Sequence, residues 1–129
     1  MHTSWTYRID PPTSIGNNEA VHAFAYGLVS WERFEHRINK LCNYMDYTQA
    51  PILVVDFTEA EVGFNLKEFE KMVVCLGAGL QAPTTIAMIK HEKISMTTAR
   101  ATKDLTQYGH TCLLFSDMQS AHHHLSFHI

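Results

Sequence analysis

Three carboxylates stand close together at Asp56, Glu59 and Glu61, directly after the apolar run Ile52-Leu53-Val54-Val55. Carboxylates in such a group suit general acid–base work, and ligands of α/β sheets gather where strands end. A plainer role is equally open, because Asp56 can cap the loop that follows it. No histidine, serine or lysine stands at a spacing that completes a mechanism with them. The expectation is therefore no catalytic residue and no enzyme.

The run His122-His123-His124 invites metal. Consecutive residues on a helix point about 100° apart, so three in a row do not converge on one ion. His110 and His128 are further histidines that a site would have to recruit. A solvated helix face is the favoured reading, and no metal and no cofactor are expected. The three cysteines, Cys42, Cys75 and Cys112, form no CxxC pair, and each lies among apolar residues. Buried, reduced thiols with nothing nearby to lower their pKa are expected, which points to the cytoplasm. Neither a Gly-rich phosphate loop nor a GxSxG elbow occurs.

The chain has 129 residues, 46% of them apolar and 18% charged, with a formal charge of −3. Such a chain can bury a core, and it carries no basic excess for phosphates, so nucleic acid is not an expected partner. The N-terminal MHTSWTYRID lacks a basic stretch leading into an apolar one, and no signal peptide is expected. No apolar stretch approaches the roughly 20 residues of a membrane span.

The elements that must position these residues follow from periodicity. Residues Thr3 to Ile9 read as a strand, broken by Asp10-Pro11-Pro12 and turned at Gly16-Asn17-Asn18. Val21 to Val29 reads as a second strand, with Val21, Ala23 and Ala25 alternating against His22, Phe24 and Tyr26. Ser30 is placed to cap a helix whose stripe is Trp31, Phe34, Ile38, Leu41, Cys42 and Met45. Ile52 to Phe57 reads as a buried central strand, and Thr58 to Phe64 as a loop. Asn65, with Glu68 three residues on, caps a helix through Leu66, Phe69, Met72, Val73 and Leu76 that ends at Gly77 and Gly79. Val74 and Cys75 widen its stripe, so this helix is deeply buried or meets a partner.

Thr84 to Ile89 is the next strand. A helical pattern from Ile94 to Tyr108 follows and ends at Gly109, with a basic tint from Lys90, His91, Lys93, Arg100 and Lys103. A solvated face is the favoured reading of that tint, and a docking face for an acidic partner or anionic head group the sharper one. Thr111 to Phe115 is a short strand. Ser116 and Gln119 form a capping box for a last helix with Met118, Ala121 and Leu125. The order β-β-α-β-α-β-α-β-α predicts one α/β domain over residues 1–129. Its sheet is mixed and mainly parallel, of about five strands with about four helices and a hairpin at the start.

Two stretches carry a family resemblance. Val54-Val55-Asp56-Phe57-Thr58 before a short loop and helix, and Leu114-Phe115-Ser116-Asp117-x-x-x-Ala121 at the end, are similar to the central and last strand–helix junctions of STAS-like domains. This family includes the bacterial SpoIIAA-like anti-sigma factor antagonists. The resemblance implies a non-enzymatic regulatory module that binds a protein partner through the loop Asp56, Thr58, Glu59, Glu61 and Asn65. The phosphorylated antagonists carry serines at this helix start, where Glu59-Ala60-Glu61-Val62-Gly63-Phe64-Asn65 has no hydroxyl. The usual phosphoswitch is therefore not expected. The alternative is a carrier of an apolar small molecule or lipid, held in a cavity under the helices. A homodimer is expected through the first strand or the wide stripe of the second helix.

Overall fold

A computed structural model describes residues 6–29, 31–62, 66–89 and 105–128. It places β1 at Thr6–Ile9, β2 at Thr13–Ile15, β3 at Asn18–Val29, α1 at Trp31–Thr48, β4 at Ile52–Asp56, β5 at Ala60–Val62 and α2 at Leu66–Gly79. Then come β6 at Thr85–Ile89, α3 described over 105–107, β7 at Thr111–Phe115 and α4 at Met118–His128. The architecture is α/β with a mixed sheet, as expected. The strand order is β1-β3-β4-β6-β7, with β2 and β5 each pairing further lengths of β3. β1 and β2 run antiparallel to β3, whereas β4, β6 and β7 follow in parallel.

From β3 onward the order advances one way across the sheet. Right-handed crossovers that all step in one direction put their helices on one face. Accordingly Ile38, Leu41, Cys42 and Met45 of α1, Met72, Val73 and Leu76 of α2, and Leu105 of α3 pack on Val21, Ala23, Leu53, Val55, Ile86 and Met88. The alternate strand residues face the other way. There α4 brings Ala121 and Leu125 down on Ile15, Ala20, Ile52, Val54, Ala87 and Ile89. Among the described residues α4 is the helix on this face, and burying its Leu125 is worth about 2 kcal/mol.

β4 is the central strand, and its Ile52 to Val55 are buried on both faces. Several local details differ from the expectation. Residues 58–64 are not wholly a loop, because β5 pairs Ala60, Glu61 and Val62 with Gly27, Leu28 and Val29. Gly27, at φ 76°, lets β3 change partners from β4 to β5, a conformation that costs a β-carbon dearly. The helix α2 does end at Gly79, but neither Gly77 nor Gly79 has a left-handed backbone. Instead a methyl at Gly77 would meet the Tyr108 ring at 2.7 Å, and one at Gly79 the Cys42 sulfur at 2.7 Å. These two glycines serve close packing.

Gly109 does end α3. At φ 87° it lets His110 N–H reach the carbonyl of Leu105 while its own N–H reaches that of Thr106, which is the Schellman pattern. The cap of α4 is Asp117, not Ser116: its Oδ1 accepts from Ser120 N–H at 2.7 Å. Cys42 and Cys112 are buried, but Cys75 is only half-buried. Burial pushes the Cys42 thiol up to about 11, with Asp46 adding to it. Val74 is 44% exposed, so the stripe of α2 reaches the surface there. No described helix is long and apolar enough to cross a membrane. The expected caps Ser30 and Asn65, and the basic run from Lys90 to Lys103, lie outside the described residues.

Candidate functional site

Asp56 closes β4 on the face that α4 covers, opposite Phe24 of β3. The chain then turns through Phe57-Thr58-Glu59-Ala60, with Ala60 N–H donating to the Phe57 carbonyl at 3.0 Å. Asp56 Oδ1 accepts from Thr58 N–H at 2.8 Å and from the Thr58 hydroxyl. Asp56 thus caps the turn. The Glu59 carbonyl accepts from Gly27 N–H at 3.1 Å, which ties the turn to the bend in β3. Thr58 and Glu59 are exposed.

The start of α4 faces this turn. Asp56, Thr58 and Glu59 on one side, and Asp117 and Met118 on the other, line an open cleft of about 280 Å3 floored by Phe24, Ala25 and Tyr26. Three carboxylates and, among the described residues, no basic side chain line it, so its lining is acidic. The Asp117 carboxyl is held below the usual range by the backbone and side-chain hydrogen bonds of Ser120. Beside the cleft the Arg8 guanidinium lies 4.3 Å from the Phe24 ring centre and 5.8 Å from that of Tyr26, while bonding Asp10 at 2.7 Å. The aromatic row of β3 is thus a surface that takes a guanidinium.

Of the residues singled out in the sequence, the structure brings Asp56, Thr58 and Glu59 together. Glu61 lies in β5, opposite Leu28. Asn65 lies outside the described residues. Asp117, Phe24 and Tyr26 join the site although sequence reasoning gave them no functional part. The signal available was the alternation of β3, which put Phe24 and Tyr26 on one face with His22.

The histidines part company. His122 meets His22 of β3, with 2.8 Å between their Nε2 atoms. His123 lies against Phe127, and His124 against Phe115. Among the described residues no cluster of three or more metal-ligating side chains forms. His110 is not near the run's surroundings but buried elsewhere. Its Nδ1 accepts from Thr84 N–H at 3.1 Å, and its Nε2–H donates to the Gly77 carbonyl at 2.9 Å.

Burial, then the neighbouring His122, hold His22 below its ordinary value against the opposing pull of Asp10 and Asp56. A histidine lowered in the folded state binds its proton later than in the unfolded chain. The stability it allows is full above about pH 6.5 and is lost as the pH falls from there through the folded value. Urea midpoints are therefore expected to drop between about pH 7.5 and about pH 5, and to drop less in His22→Phe. Equal drops in both proteins would refute this.

Against the helix face, an apolar void lined by Tyr7, Ala23, Ala25, Ile38, Leu41 and Val55 holds only about 20 Å3. That is room for one water, whereas ligand pockets run to roughly 300–1,000 Å3. No family model, curated protein or solved structure matches this chain.

Proposed function

We propose that this chain is a non-enzymatic regulatory module of STAS-like type that captures a protein partner by a basic segment. The observation that supports the reading is the meeting of the β4–β5 turn with the start of α4, which sets Asp56, Glu59 and Asp117 around an open, aromatic-floored cleft. Asp56 has Oδ1 committed to its turn, so its work is shaping the loop and supplying charge. That suits docking better than proton transfer. The resemblance of the two strand–helix junctions to STAS-like domains favours the same class. The acidic turn replaces the phosphorylatable helix start, so partner choice rests on fixed charge here.

At an exposed cleft each carboxylate attracts a cation weakly, because water and salt screen the charges. Glu59→Lys turns one attraction into a repulsion, and about a tenfold loss of affinity is expected for an arginine-rich peptide probe, with weaker binding as salt rises. Glu59 is exposed, so the fold should be unaffected. Calorimetric titration of wild type and variant with this probe decides it. Equal affinities, or no binding by either, would overturn the assignment.

A further inference from the structure

α4 meets the sheet through Ala121, Leu125 and the ring of His122. His22, beneath it, is 6% exposed. The two rings stand edge to face with centres 5.0 Å apart. When both are neutral, one Nε2–H donates to the lone pair of the other. A single proton on the pair preserves that N–H···N bond. A second proton puts a hydrogen on each Nε2, removes the acceptor and sets two cations against each other where little water reaches.

The charges around the pair come from few elements. Asp10, after β1, and Asp56, closing β4, favour protonation of His22. Arg8 of β1 is paired with Asp10 and lies over Phe24, the ring next to His22. β2 and β6 contribute no ionisable side chain, and the one ionisable side chain of β7, Cys112, packs on the opposite face. On α4 itself, His123 and His124 point to Phe127 and Phe115. Neither carboxylate makes a hydrogen bond to the pair: Asp10 holds Arg8, and Asp56 holds Thr58. Among the described residues, no carboxylate is hydrogen-bonded to either ring to offset the second charge.

We propose that the His22–His122 pair is an acid-operated latch, whose double protonation releases α4 from the sheet and bares the apolar face beneath. The latch does not depend on what the cleft binds. Because α4 also supplies Asp117 and Met118, its release dismantles one wall of that cleft.

The test is hydrogen exchange read by residue at about pH 7.5 and about pH 5, corrected for the intrinsic pH dependence. In the wild type, amides of the second and later turns of α4 should lose at least about tenfold in protection at the acid pH, while those of β4 and β6 keep theirs. In His22→Phe, which keeps a ring but takes no proton, α4 should stay protected at both pH values. His122→Gln, a change at a half-buried helix position, is the second variant and should also blunt the response. Undiminished protection of wild-type α4 at acid pH overturns the latch. So does simultaneous loss in β4 and β6, or an acid response that persists in both variants.

Discussion

His110→Ala is expected to lower the free energy of unfolding by about 3 kcal/mol, one of the largest effects of any single side chain outside the apolar core. His110 is 4% exposed and joins three elements. Its Nδ1 receives the Thr84 N–H at the entry to β6, and its Nε2–H bonds the Gly77 carbonyl near the end of α2. The residue itself stands at the entry to β7. Truncation leaves a buried donor and a buried acceptor without partners, each costing about 1–3 kcal/mol, and opens a cavity where the ring was. Part of that cost is recovered if water enters. Urea unfolding checks it: the midpoint should fall with the slope unchanged. A loss below about 1 kcal/mol would show that the two backbone groups find other partners.

Ala121→Glu is expected to detach α4 and leave the rest of the fold standing. Ala121 is fully buried against the sheet, so the new carboxylate would sit among Ala87, Ile89 and Val54 with no partner. The charge is not forced to stay there. What holds α4 down is the burial of Leu125, Ala121 and Met118 against the strand face, together with one ring–ring hydrogen bond. A buried unpartnered carboxylate opposes all of these contacts at once, and release of the helix relieves it. Amides of residues 118–128 should then exchange freely while those of β4 and β6 remain protected, with a rise in binding of an apolar dye. Protected α4 amides in this variant would mean that the sheet face tolerates the carboxylate. Global unfolding would mean that α4 is integral to the core.

The part of Ala121 was legible in the chain, but that of His110 was hidden. His110 preceded a strand and read as a histidine that a metal site at His122–His124 would have to recruit. Its two bonds join it to Gly77 and Thr84, 33 and 26 residues away. No local pattern signals such a clamp. The glycines of α2 misled in a related way. Gly77 and Gly79 near the end of a helix read as a cap, whereas Tyr108 and Cys42 require the missing β-carbons. In β5, three residues gain strand geometry only because Gly27 turns the end of β3 toward them. At α4 the cap lay one residue beyond the one predicted. Ser116 and Asp117 both fit the composition rule, and backbone geometry chose the carboxylate.

Much else was legible in the sequence. The unbroken run Ile52 to Val55 marked a strand buried on both faces, because a strand in the middle of a parallel sheet has no wet side. The stripe Ile38, Leu41, Cys42, Met45 marked the buried side of α1, because the helical period puts those positions on one face. The alternation of Val21, Ala23 and Ala25 against His22, Phe24 and Tyr26 separated the two faces of β3. What these local periods leave open is which way each crossover steps. With β3, β4, β6 and β7 in sequential order, the same-handed crossovers carry α1, α2 and α3 to one face and leave the other to α4. That arrangement, a long-range consequence of chain handedness, sets His122 on His22 and brings Asp117 to Asp56 and Glu59. The sequence by itself determined the longer strands and helices and their buried sides, because those depend on neighbours two to four residues away, whereas the short β2 and β5 exist only by pairing with β3. Only the tertiary structure decided the cleft, the clamp and the histidine pair, because their partners lie 26 to 100 residues apart and meet only when the sheet is assembled.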